Sequence, residues 1–146
     1  LWMLRENHTE ASKREGPSIK HDISVAVSKI PPFVPEGLAA MTRALPGCRP
    51  LVFGHVGDGN LHFNCQAPAG LSKPEFMKHG EAISGAVYDL VVDYGGSISA
   101  EHGIGRLKVD ELAHYRSKIE LDTMRTIKRA LDPKNIMNPG KVLRLS

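Results

Sequence analysis

The sequence predicts an α+β fold in which helices pack on one face of an antiparallel sheet. Three features of its 146 residues lead to this expectation. Some short segments alternate apolar and polar residues with the period of a strand, two such segments flank a turn, and longer segments repeat apolar residues with the period of a helix. A chain of this length can bury a sizeable core as one domain.

Strand and helix signals follow one another along the chain. Residues 22–29 alternate with period two and predict a strand, and a helix is expected over 34–45, before Pro46-Gly47. Ser72 opens a capping box with proline in the first turn, which predicts the start of a further helix. We interpret the apolar residues of this helix and of a final one as core-facing: Ile83, Val87, Leu90, Val91 and Tyr94 up to Gly95-Gly96, and Leu121, Met124, Ile127 and Leu131 up to Asp132-Pro133.

A hairpin is predicted in the middle of the chain, with strands near 50–56 and 61–67. Between them, Asp58-Gly59 is a strong signal for a two-residue type I′ turn. That turn would pair His55 with His62 on one face of the sheet, with their Cβ atoms ~5 Å apart. Two ligands of one metal ion require such a separation; two surface histidines on a hairpin are the alternative.

A second polar segment, bracketed by glycines, places Glu101 and His102 side by side. Glu101 is a candidate third ligand, because a His-His-Glu set suits zinc, manganese, iron or cobalt and leaves a position open for substrate. In an extended segment His102 would face the other way, so it is a candidate general base. A solvated loop pair is the alternative. Asn64 lies two residues beyond His62 and points to the same face.

Charge and cysteine content exclude several classes of protein. The chain has 19 basic and 16 acidic residues, a formal net charge of +3 and 5% aromatic residues, and no basic block alternates with aromatics as in nucleic-acid binders. The mild positive bias suits an anionic substrate. No apolar run approaches the ~20 residues of a membrane span. Cys48 and Cys65 have no metal-binding spacing, so free thiols in a reducing compartment are expected.

Three runs of the sequence carry a family resemblance: GHVGDGNLH at 54–62, SAEHGIG at 99–105 and the closing NPGK at 138–141. Together they resemble the C-terminal substrate domain of FAD-linked 2-hydroxy-acid dehydrogenases and oxidases, in the vanillyl-alcohol-oxidase-like superfamily. The most similar branch is that of D-2-hydroxyglutarate and D-lactate dehydrogenases. The resemblance extends from about Arg5 to Val142 and implies a ferredoxin-like sheet.

The resemblance also implies roles for further residues. Arg5, Thr9 and Lys20 match positions that hold the substrate carboxylates in 2-hydroxyglutarate-type enzymes. Arginine can bind a carboxylate through two parallel hydrogen bonds and lysine adds a point charge, whereas without the family these two would be ordinary surface charges. Asn64 would hydrogen-bond a substrate oxygen. Asn138 matches a position that approaches the flavin ring.

The implied activity is the oxidation of a D-2-hydroxy acid of the D-2-hydroxyglutarate, D-lactate or glycolate type to the 2-oxo acid. A divalent metal, with zinc as first choice, would sit on His55, His62 and Glu101 and orient the substrate. His102 would take the hydroxyl proton, and hydride would pass to FAD. No segment resembles an FAD-binding domain. We therefore expect residues 1–146 to be the C-terminal part of a larger enzyme, comprising a substrate and metal domain and a C-terminal helical segment.

The expected partners are the 2-hydroxy acid, the FAD-binding domain of the same protein and an electron acceptor, with a homodimer as a further option. No nucleic acid and no membrane span are expected, and the expected location is cytoplasmic, or mitochondrial if the source is eukaryotic. Two other functions stay open. One is a metal-dependent hydrolase with a His-His-Glu site that acts without flavin. The other is an inactive cap domain that binds metal and a partner domain.

Overall fold

The computed structural model describes residues 2–145, and for Arg5 and Thr9 it describes the backbone alone. The chain divides into two compact units, with the boundary between Glu101 and His102. The first unit contains α1 (Trp2–Glu6), α2 (His8–Arg14), β1 (Ser18–Ile19), β2 (Asp22–Ser24), a 3₁₀ turn (Val27–Lys29), α3 (Ile30–Ala44), β3 (Arg49–His55), β4 (Asn60–Gln66), α4 (Lys73–Met77) and α5 (Gly80–Asp93). The second unit contains α6 (Val109–Tyr115) and α7 (Lys118–Leu131).

β4 is the central strand of an antiparallel sheet. It pairs with β3 along one edge and with β1 and then β2 along the other. β1 and β2 pair with β4 in the same register. In the gap between these two strands, the amide of Phe63 in β4 donates to the carbonyl of His21 at 2.8 Å. Residues 18–24 therefore act as one extended strand beside β4.

An antiparallel bridge between Ser24 and Ser97 adds a fourth position to the sheet. The order across the sheet is then the segment at Ser97, the strand at 18–24, β4 and β3, with α3 and α5 in the connections. This is the β-α-β-β-α-β arrangement of ferredoxin-like sheets. The expected α+β class is confirmed.

The core of the first unit lies between the sheet and the helices α3 and α5. Phe63 of β4 is fully buried and packs edge-on against Phe33 of α3, with ring centroids 5.4 Å apart. Val87 and Val91 of α5 are also fully buried. Alternate residues of β4 therefore face these two helices, and the residues between them face the other side of the sheet.

A further helix, α2, contacts the face of the sheet opposite α3 and α5. Gln66 of β4 lies on the face opposite Phe63. Its Nε2 donates to Oγ of Ser12 in α2 at 2.6 Å. The one-face arrangement holds for α3 and α5, whereas α2 contacts the opposite face.

Three predicted elements differ from the structure. The strand predicted over 22–29 ends at Ser24, and α3 begins at Ile30, four residues before its expected start. Proline occupies the first turn of α3, where its missing N–H would have no helical partner in any case. The capping box at Ser72 is confirmed, but the helix that it opens is divided into α4 and α5.

Both cysteines are free thiols, as expected. Burial, followed by the neighbouring thiol of Cys48, raises the pKa of Cys65 to about 12. Because the thiolate is the reactive form, this raised pKa keeps the Cys65 thiol protonated and lowers its reactivity at neutral pH.

The second unit has a small apolar core of its own. Leu112, Leu121 and Leu143 are buried together, with Ile104 and Met124 packed against them. No helix within residues 2–145 combines the length and the apolar character that crossing a bilayer requires.

Two helical glycines allow the packing of α3 to be tested. A Cβ at Gly37 would lie 2.6 Å from Cζ of Phe63, whereas at Gly85 in α5 no described atom lies within 4 Å. Gly37→Ala should lower the free energy of unfolding by ~1–3 kcal/mol, because the clash outweighs the ~1 kcal/mol gain in helix propensity. Gly85→Ala should raise it by ~0.4–1 kcal/mol. Urea unfolding of both variants tests this, and equal stabilities would contradict it.

Candidate metal and substrate site

The sheet face opposite α3 and α5 carries a row of polar side chains from β4. Asn60, His62, Asn64 and Gln66 alternate with the core residues of the strand. Asn60, Asn64 and Gln66 are buried, and His62 is half-buried. Buried polar residues on a central strand are uncommon, and they mark this face as a candidate binding site.

The neighbouring strands extend the polar face on both sides. Asp22 pairs directly with His62. The shared register of β1 and β2 places Lys20 opposite Asn64. His55, at the end of β3, belongs to the same face. The sheet therefore brings together four of the residues that the sequence singled out: Lys20, His55, His62 and Asn64.

The predicted pairing of His55 with His62 is wrong, since His55 pairs with Asn60. The loop has four residues rather than two, because Gly59 takes a positive φ of 80° but Asp58 does not. Instead, the Asp58 side chain accepts a hydrogen bond from the backbone N–H of Asn60 at 3.0 Å. The register therefore differs from the expected one by two residues, and an even shift leaves His55 and His62 on the same face.

His55, His62 and Glu101 lie close together. The imidazole centroids are 6.1 Å apart. Nδ1 of His55 is 2.7 Å from one oxygen of Glu101, and Nε2 of His62 is 3.8 Å from the other. These contacts bring two imidazoles and one carboxylate into one cluster, and both kinds of group are ligands that a divalent metal such as zinc takes in proteins.

This cluster is open to solvent on one side. The His62 side chain is 18% exposed, whereas those of His55 and Glu101 are 50% and 40% exposed. A ligand can therefore approach from the side of His55 and Glu101. Two imidazoles and one carboxylate are also a donor set that catalytic zinc sites use while a further position stays open.

Sequence analysis missed Asp22, which holds the backbone beside Glu101. Oδ2 of Asp22 accepts hydrogen bonds from the N–H groups of Ala100 at 3.2 Å and Glu101 at 2.9 Å. A signal was present, since Lys20, Asp22 and Ser24 alternate with apolar or buried neighbours. The predicted strand began at residue 22, so Lys20 and Asp22 were not recognised as alternate residues of one strand.

The other predicted site residues are placed less directly. The side chains of Arg5 and Thr9 lie outside the described residues, although the backbone places them in α1 and α2. His102 and Asn138 belong to the second unit, and both are exposed. Their roles, like those of the other site residues, stay predictions.

Asn138 follows a segment that is folded around the buried carboxylate of Asp132. The backbone N–H groups of Ile136 and Met137 donate to this carboxylate at 3.0 and 2.9 Å, and Lys128 forms an ion pair with it. The hydrogen bond from Lys128, assisted by those from the two N–H groups, lowers the pKa of Asp132. Directly after these bonded residues, Asn138 takes an uncommon left-handed conformation, with φ of 49°.

Comparison with known proteins assigns this arrangement to a family. Residues 1–142 match the family described as FAD linked oxidases, C-terminal domain. The chain belongs to this family. The match to the FAD-linked oxidases includes the hairpin with His55 and His62, the loop with Glu101 and the segment with Asn138.

Relatives of this FAD-linked oxidase domain are described as D-2-hydroxyglutarate dehydrogenases. The protein of Stutzerimonas stutzeri (strain A1501) is 43% identical over 142 residues, which cover 97% of this chain and 30% of the relative. The mitochondrial proteins of Danio rerio and Rattus norvegicus are 43% and 38% identical over 145 and 144 residues, covering 98% of this chain and 26% and 25% of theirs. The chain therefore spans between a quarter and a third of the length of these relatives.

The hairpin loop provides a test of how the site is positioned. A Cβ at Gly59 would lie 2.0 Å from the carbonyl oxygen of Val25, whereas at Gly57 no described atom lies within 4 Å. Gly59→Ala should therefore cost ~2 kcal/mol or more in unfolding free energy, because strain at positive φ adds to the clash. It should also weaken Zn²⁺ binding, because the loop that follows His55 must move.

Gly57→Ala is the matched control and should change stability by less than ~0.5 kcal/mol, as at other open surface positions. Urea unfolding and titration with Zn²⁺ measure both effects. Equal stability and equal affinity in the two variants would contradict this prediction.

Proposed function

We propose that this chain is the substrate and metal domain of an FAD-dependent dehydrogenase that oxidises a D-2-hydroxy acid to the 2-oxo acid, with D-2-hydroxyglutarate as the favoured substrate. The main support is the convergence of His55, His62 and Glu101 on a face that also carries Lys20 and Asn64. Residues 1–146 would comprise this domain and a C-terminal helical segment, and the FAD-binding domain would lie outside them.

His55, His62 and Glu101 are the proposed metal ligands. A divalent ion, with zinc as first choice and manganese, iron or cobalt as alternatives, would supply Lewis acidity toward the substrate hydroxyl. A bound divalent ion would offset the negative charges of Glu101 and of its neighbour Asp22. Lys20, on the same face, would then supply the positive charge that attracts an anionic acid to this part of the sheet.

Lys20 and Asn64 are the proposed contacts for the rest of the substrate. Their row lies one strand repeat away from the row of Asp22 and His62, a spacing of about 6.7 Å. The Lys20 ammonium could pair with a second carboxylate at that distance, while Asn64 would donate to a substrate oxygen. A five-carbon diacid is long enough to reach both rows, which favours 2-hydroxyglutarate over D-lactate and glycolate.

Residues outside the sheet would complete the site. Arg5 and Thr9 are candidate contacts for the substrate carboxylates, as the family resemblance implies. His102, next to Glu101 in the chain, would accept the hydroxyl proton on its imidazole. Asn138 would approach the flavin. FAD, held mainly by the other domain, would take up the two electrons of the oxidation.

The remaining partners follow from the same proposal. The reduced flavin would be reoxidised by an electron acceptor, and a homodimer is a further option. Relatives from Danio rerio and Rattus norvegicus are described as mitochondrial. We infer a mitochondrial location if the source is eukaryotic, and a cytoplasmic one otherwise.

The substrate assignment can be tested with the full-length protein that contains this chain and its FAD-binding domain. Anaerobic mixing with a panel of D- and L-2-hydroxy acids, followed by visible absorbance, measures flavin reduction directly. We expect D-2-hydroxyglutarate to reduce the flavin fastest and its L-enantiomer to be inert. Failure of every 2-hydroxy acid to bleach the flavin would refute the proposed reaction, and preference for D-lactate would refute the diacid assignment.

The roles of His102 and His55 can be separated in the same full-length protein. His102→Ala should lower kcat by ~10²–10⁴, the usual effect of losing a general base, and should leave the metal content intact. His55→Ala should instead deplete the metal, and activity should fall with it. Metal analysis and pre-steady-state flavin reduction distinguish the two. Metal loss in the His102 variant with retention in the His55 variant would reverse the roles.

A further inference from the structure

Asp22 is a buried carboxylate on the polar face of the sheet, with 4% of its surface exposed. It pairs directly with His62 in the register of β2 and β4, which places the two Cβ atoms ~5 Å apart. One of its oxygens lies within 4.8 Å of an oxygen of Glu101. Asp22 is therefore adjacent to two of the three proposed metal ligands.

The loop that ends at Glu101 is attached to the strand that carries Asp22. Ser24 and Ser97 exchange backbone hydrogen bonds of 3.0 and 2.8 Å, and the amide of Ala100 donates to the carbonyl of Asp22 at 3.2 Å. At Glu101 itself, the acceptor for the backbone N–H is the Asp22 side chain, at 2.9 Å. The carboxylate thus extends the attachment of the loop to the residue that would bind the metal.

We propose that Asp22 is a positioning residue for the metal site, which fixes the backbone of Glu101 so that its carboxylate lies between His55 and His62. This inference depends on the metal site proposed above. Hydrogen bonds to an ionised acceptor are roughly twice as strong as neutral ones, so the bonds to Ala100 and Glu101 restrict the loop more firmly than neutral bonds would. Groups that orient metal ligands typically contribute 10–100-fold to metal affinity.

Asp22→Asn in the 146-residue chain is the test, with Asp132→Asn as the matched control. Both aspartates are buried, and each accepts hydrogen bonds from two consecutive backbone N–H groups, but Asp132 belongs to the second unit. Zn²⁺ affinity is measured by competition with a chromophoric chelator, the Co²⁺ complex by visible absorption, and the fold of each apoprotein by circular dichroism.

We expect Asp22→Asn to weaken Zn²⁺ binding by ~10–100-fold, and Asp132→Asn to leave it within about twofold of wild type. The Co²⁺ spectrum at saturation should be the same for wild type and Asp22→Asn, because the donor atoms do not change. If Asp22→Asn does not fold, Asp22→Glu replaces it. That variant keeps the charge but displaces the acceptor by one methylene, and it should also lose affinity.

Several results would overturn the inference. Unchanged affinity in Asp22→Asn, or equal losses in Asp22→Asn and Asp132→Asn, would exclude a specific positioning role. A changed Co²⁺ spectrum would make Asp22 a direct ligand instead. His55→Ala distinguishes failure of the proposed metal site from failure of the proposed role of Asp22. If wild type binds no Zn²⁺, or His55→Ala binds as wild type does, the proposed metal site and this inference both fail, whereas loss in His55→Ala alone refutes only the role of Asp22.

Discussion

The pairing of β4 with its two neighbours is the constraint on which the core and the candidate site both depend. Phe63 is fully buried against Phe33, and this fixes which alternate residues of β4 face the helices. The intervening residues, His62 and Asn64 among them, must then face the other side. A slip of one residue would bury the polar set under α3 and expose Phe63, so core packing protects the arrangement of the site against alternative registers.

This dependence explains why much of the candidate site could be predicted from the sequence. The alternation around the hairpin predicts His55 and His62 on one face. The predicted turn type was wrong, but the resulting register error was two residues, and an even shift keeps both histidines on the same face. The α+β class and the capping box at Ser72 were likewise local signals that the tertiary structure did not override. The fold class and the grouping of the two histidines therefore followed from local pattern alone.

The features that sequence analysis missed depend on contacts between distant segments. Whether Asp58 takes a positive φ or accepts a hydrogen bond with its side chain depends on how Gly59 packs against Val25, the residue after β2, because a Cβ at Gly59 would meet the carbonyl of Val25. The burial of Asp22 similarly requires the loop that reaches Glu101, 79 positions further along the chain. Local alternation indicates that Asp22 is polar and faces away from the core, but it does not indicate that another segment covers it.

The buried position of Asp22 gives the candidate site a particular electrostatic character. Burying a carboxylate is costly unless hydrogen bonds or opposite charges compensate, and the N–H groups of Ala100 and Glu101 supply part of that compensation. Glu101 adds a second carboxylate within 4.8 Å. A divalent cation held by Glu101, His55 and His62, as we propose, would lie near both carboxylates and would be attracted by each of them. We therefore expect metal binding at the proposed site and folding of the sheet to stabilise each other.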